Sequence, residues 1–167
     1  MSVFRDLLAI KRFREGQAEL AVMRQRQAHA EAERALQAAR EQLAQFRQWA
    51  QRHERDMYRD LCSRAVRVRD IEDVMQRVAE LRQGESDRQT RIDEAAERVR
   101  QQAEALAQRR QEHREATRMV EKFVELADAH LAEHLRELER KEDLEMEEAA
   151  LAARDRDEWR EHEEYEV

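Results

Sequence analysis

Residues 92–138 read IDEAAERVRQQAEALAQRRQEHREATRMVEKFVELADAHLAEHLREL, and their spacing decides the fold. Ile92, Ala96, Val99, Ala103, Leu106, Arg110, His113, Thr117, Val120, Val124, Ala127, Leu131, His134 and Leu138 alternate steps of four and three. Such an a/d seam, held for about seven heptads, keeps one helix face turned toward a partner helix. A second seam precedes it at Ala32, Leu36, Ala39, Leu43, Phe46, Ala50 and Met57. Val3, Phe4, Leu7, Leu8, Ile10, Phe13, Leu20, Val22 and Met23 extend it toward the start. Both seams are alanine-rich, and Arg110 and His113 interrupt the later one, so each is weak alone. Burying one against the other is the way out.

The reversal has two candidates. At Gly84-Glu85-Ser86-Asp87-Arg88-Gln89, Gly84 fits a left-handed C′ position and Ser86 with Gln89 a capping box. At Ser63–Asp70, two valines break the pattern and Asp70 fits an N-cap. A single turn at 84 would set Val3–Ile10 against the acidic residues 158–166. Turning at both sites predicts helix 1 over about 3–62, a tip helix over about 70–82 and helix 3 over about 86–145. The long helices would each measure roughly 90 Å at 1.5 Å per residue. Phe4 and Leu7 then face Leu138 to Leu144. The expected fold is all-α: a long antiparallel two-helix coiled-coil hairpin with a short helix at the tip, spanning 1–145, followed by an acidic tail over 146–167.

Composition agrees. The 167 residues contain no proline and two glycines, where average usage gives roughly 8 and 12. Charged residues make up 43% and mean hydropathy is −1.07, values that suit exposed helices or disorder; the periodicity speaks for helices. Residues 1–84 carry 17 Lys+Arg against 13 Asp+Glu, residues 139–167 only 5 against 13, and the whole chain is −7. That balance disfavours a grip on nucleic acid or anionic lipid. Cys62 stands alone, which suits a reducing compartment. The opening Met1-Ser2-Val3-Phe4-Arg5-Asp6 has no apolar signal region, and no apolar run approaches the roughly 20 residues of a membrane span. The expectation is a cytoplasmic protein without membrane insertion.

Catalytic patterns are nearly absent. His130-Leu131-Ala132-Glu133-His134 matches H-x-x-E-H, and histidines at i and i+4 can share a metal. A helix pair offers neither a third ligand nor a walled cleft, so no metal or cofactor is expected. Arg109-Arg110 and the cluster Arg64, Arg67 and Arg69 read as solvated faces at this net charge. No Gly-rich phosphate loop or nucleophile elbow occurs, and no enzyme is expected. The aromatics say more. Gln42, Phe46, Trp49 and His53 recur at four, three and four, which places them on one helical face. Trp49 falls one step off the seam and should be at least half exposed. It is either a partner anchor, as aromatics at hot spots are, or a packing residue under the tip helix. Leu144-Glu145-Met146-Glu147-Glu148 is either a docking segment or a solvated, fraying end.

Four segments together resemble the central stalk proteins of bacterial type III secretion, the YscO/SctO family, relatives of flagellar FliJ. They are Leu7-Leu8-Ala9-Ile10-Lys11-Arg12-Phe13-Arg14-Glu15, Phe46-Arg47-Gln48-Trp49 with Tyr58, Glu121-Lys122-Phe123-Val124-Glu125-Leu126, and the acidic ending from Leu144. The resemblance spans nearly the whole chain and rests on the order and spacing of these segments. It implies a nonenzymatic hairpin standing in the pore of a hexameric secretion ATPase, monomeric in isolation, at the cytoplasmic face of the secretion apparatus. It also implies a link from that ring to the cytoplasmic domain of the export gate; some members bind secretion chaperones. By likeness to the flagellar relative, Gln42, Phe46, Trp49 and His53 form one gate-binding face, and Ile71, Met75 and Val78 a second near the tip. The end carrying both termini is expected to meet the ATPase through Leu7, Lys11, Arg12 and Arg14, with Leu144 and Glu145 opposite. A flagellar stalk is the alternative within the family; a cytosolic coiled-coil scaffold, such as a homodimer, is the alternative outside it.

Overall fold

A computed structural model describes residues 3–165 as two α-helices, α1 (Val3–Ser63) and α2 (Val68–Tyr165), folded back on each other as a hairpin. Met1, Ser2, Glu166 and Val167, part of the opening and of the acidic ending, lie outside the described residues. The reversal takes four residues. Ser63 closes α1 by donating its hydroxyl to the Asp60 carbonyl at 2.8 Å, and Arg64 reaches the Asp60 carboxylate at 3.2 Å. At the start of α2 the Arg67 amide donates to the Asp70 carboxylate at 2.9 Å, while the amides of Asp70 and Ile71 donate to the Arg67 carbonyl. Asp70 is therefore the acidic half of a capping box, three residues inside the cap it was expected to occupy. Its charge also complements the positive end of the helix.

The second expected turn does not exist. Helix α2 runs unbroken through Gly84, no glycine has positive φ, and the separate tip helix over 70–82 and helix 3 over 86–145 are segments of one element. The Thr90 hydroxyl donates to the Ser86 carbonyl, an ordinary helix-interior contact, so Ser86 caps nothing.

The chain forms two compact units. In the unit Gly16–Glu115, Val22, Ala32, Leu43, Ala50 and Met57 of α1 and Val74 and Leu106 of α2 are buried. Along α2 the half-buried positions run Ile92, Ala95, Val99 and Gln102 toward Leu106. Steps of three and four thus replace the expected four and three, and Ala96 and Ala103 are exposed. Alanine differs little between the two phases, whereas Gln102 in this one receives the Gln25 amide, which donates to both its side-chain and its backbone oxygen. Arg110 is exposed, so no buried cation interrupts the seam; His113 is half-buried. On the solvent face Arg100 joins Glu97 and Glu104, and its hydrogen bond holds the Glu97 carboxyl below the usual carboxylate range.

In the other unit, Met1–Glu15 with Ala116–Val167, Phe4 lies 5.0 Å from the His130 ring. Lys11 sits 5.3 Å over Phe123, and Glu15 accepts the Thr117 hydroxyl at 3.1 Å. Phe123 and Val124 are both half-buried. Phe4 and Leu7 do not face Leu138 to Leu144: a single turn near 64–67 consumes less chain than two, and the register shifts accordingly. Every residue from Leu131 to His162 is exposed, including Leu131, His134 and Leu138, beyond the contact of Phe4 with His130. The acidic ending is helical through Tyr165, an overhang of α2.

Candidate docking surface

Helical spacing alone puts Gln42, Phe46, Trp49 and His53 on one face of α1, and the structure brings their rings into contact. Phe46 and Trp49 are 5.7 Å apart and tilted; Trp49 and His53 stack at 5.0 Å and 11°. Trp49 keeps 52% of its surface exposed, so it does not pack under a tip helix. Phe46, an inward position, is half-buried.

What holds Phe46 comes from α2. The Arg88 guanidinium lies 3.8 Å over the ring centroid and donates to the Gly84 carbonyl at 3.0 Å. A Cβ on Gly84 would stand 2.9 Å from Phe46 Cζ. The residue that resembles a turn is thus a helical glycine leaving room for an aromatic ring. Gly84→Ala in a Phe46→Ala background should stabilise the protein by about 1 kcal/mol, the helix-propensity difference. With Phe46 present the same change should stabilise nothing or destabilise, since the ring must swing away from Arg88. Urea unfolding of the four variants measures this coupling, and equal effects in both backgrounds would remove the steric role.

Gln42, Gln45, Phe46, Trp49, Arg88 and Arg91 line a shallow groove of about 550 Å³. On the sequence Gly84 and Arg88 belong to a candidate turn and Arg91 carries no signal, because nothing local to α2 announces an aromatic on the other helix. Ile71 and Met75, nearer the turn, are exposed with Tyr58, whereas Val78 is half-buried. Of the residues expected to meet an ATPase, Arg12 and Arg14 are exposed, and Leu7 and Lys11 are half-buried against α2. Leu144 and Glu145 are exposed but not opposite them; they lie on the overhang, beyond the partner of Phe4.

His130 and His134 line an open groove with Arg5, Leu8 and Asp128. Among the described residues no three metal-ligating side chains converge, and no helix is long and apolar enough to cross a membrane.

The family model described as Type III secretion protein YscO matches residues 4–152. Among solved structures, the chain is similar to the 2.8 Å crystal structure of Type III Secretion Protein YscO from Vibrio parahaemolyticus. The two share 32% identity and a TM-score of 0.82 over 87% of this chain and 91% of that one. Comparison with curated proteins gives no match.

Proposed function

Because the chain belongs to the YscO family of type III secretion proteins, we propose that it is the central stalk of an injectisome ATPase, a nonenzymatic link between the hexameric ring and the export gate. The observation that carries this reading is the α2 overhang, exposed at every residue from Leu131 to His162. A lone helix about 10–12 Å across enters a ring pore more readily than a helix pair does. One asymmetric helix inside a six-fold ring also touches each subunit differently and biases their states in turn.

In this reading the ATPase meets two separate patches: Leu7, Lys11, Arg12 and Arg14 on α1, and Leu144 with Glu145 on the overhang. The gate docks on Gln42, Phe46, Trp49 and His53, with Ile71, Met75 and Val78 as a second contact. The protein acts as a monomer at the cytoplasmic face of the apparatus; Val22, Ala32, Leu43, Ala50 and Met57 of α1 are already buried within the hairpin, which supports that reading. Secretion chaperones are further partners.

Deleting residues 146–167 should weaken stimulation of ATP hydrolysis by the cognate ATPase. The hairpin should survive, because its cross-helix contacts described above reach no further than His130. Circular dichroism should lose only the signal of the removed helix. Full stimulation by the truncated chain would take those residues out of the mechanism.

A further inference from the structure

The two sides of the helix pair near Phe46 differ in charge. On one side the cations are met across the helices: Arg47 pairs with Glu85 at 2.7 Å and Arg82 with Glu54 at 3.4 Å. The groove on the aromatic side is lined by two arginines and no carboxylate. Arg91 makes no ion pair among the described residues. Arg88 spends one N–H on the Gly84 carbonyl and one face on Phe46, and a guanidinium carries five N–H donors in all. In a chain of net charge −7, neither Arg88 nor Arg91 makes an ion pair among the described residues, although Asp87 and Glu94 lie one helical turn from Arg91, and both arginines line the groove beside the half-exposed indole.

The geometry points to a receptor for a short acidic segment of a partner protein, with Arg88 and Arg91 taking its carboxylates and Trp49 covering an adjacent apolar side chain. Guanidinium forks match carboxylates in two-bond geometry, and Arg88 and Arg91 stand three residues apart on one face of α2. Stacking on Phe46 fixes the Arg88 plane before any partner arrives, so less freedom is lost on binding. His53 stacks on the indole and Phe46 meets it at a tilt, and 52% of the Trp49 surface stays exposed to a partner. Gln42 and Gln45 add amides for a peptide backbone. Nucleic acid would also suit arginine beside an aromatic, but two cations on an acidic chain supply too few phosphate contacts. This inference rests on the reading that the gate docks here, and it names the chemistry that the docking segment must carry.

The test uses the full chain with Trp159→Phe, which leaves Trp49 as the one tryptophan. Arg91→Glu should lower affinity for the gate's cytoplasmic domain by about fivefold or more and flatten its salt dependence; Arg91→Lys should stay within about twofold of the parent. Arg91 is exposed, so helicity should not change. If Trp49→Ala abolishes gate binding while Arg91→Glu alters neither affinity nor salt dependence, the acidic-segment inference is overturned and the docking reading stands. If Trp49→Ala leaves gate binding intact, the docking reading fails, and a synthetic glutamate–leucine peptide decides the inference. A saturable shift of Trp49 emission, lost in Arg91→Glu, supports it. No shift, or a shift with oligo-dT but not with the peptide, overturns it.

Discussion

Trp49→Ala is expected to cost about 2 kcal/mol or more in binding to the cytoplasmic domain of the export gate, the scale of an interface hot spot. The same change should cost less than about 1 kcal/mol in folding. The ring is already 52% exposed, and its described aromatic neighbours are Phe46 and His53 on its own helix, so truncation opens no cavity between α1 and α2. Isothermal titration and urea unfolding separate the two quantities. Read alone in the Trp159→Phe background, Trp49 should emit as a partly solvated indole and shift to the blue when the gate domain is added. Strongly blue emission from the free protein would mean that the ring is buried before any partner arrives, and the anchor role would fail.

Leu43→Ala carries the largest expected effect on stability. Leu43 is 4% exposed, the lowest exposure in the core. Removing a buried leucine to alanine costs about 2–5 kcal/mol. A helix pair only one layer thick relaxes more readily than a globular core, so about 2–3 kcal/mol is expected here. Leu144→Ala is the matched control. Leu144 is 58% exposed on the overhang, and alanine is the better helix former, so its effect should lie within about 0.5 kcal/mol of zero. The pair tests the register. If Leu144→Ala were the damaging change and Leu43→Ala the silent one, the pairing of α1 with α2 would be wrong.

Much of the proposed docking face was legible because it belongs to one helix. Once residues 42–53 are helical, Gln42, Phe46, Trp49 and His53 share a face, and a position one step off the seam is at least partly solvated. The half of the groove on α2 was not legible. Arg88 reads as an ordinary surface cation until Phe46 lies beneath it, and Gly84 reads as a turn until a ring fills the space where its Cβ would be. The missing ion pair at Arg91 is visible only when its neighbours are known.

The same division runs through the fold. The sequence by itself determined that the chain is helical, that its helices pair, and that Ser63–Asp70 is one of two places where the chain can reverse. Those properties follow from the absence of proline, from apolar spacing and from caps, all of which act within a few turns. Only the tertiary structure decided how many times the chain reverses, and with that which residues meet. Alanine-rich seams are nearly indifferent to register: sliding one helix past the other, or turning it by one position, exchanges one small side chain for another. The choice therefore falls to the few contacts that are not indifferent, among them the amides of Gln25 and Gln102, Lys11 over Phe123, and Phe46 between Gly84 and Arg88. Those contacts join residues far apart in the chain; in the unit that holds both ends, Phe4 lies beside His130 while Leu144 and Glu145 are exposed.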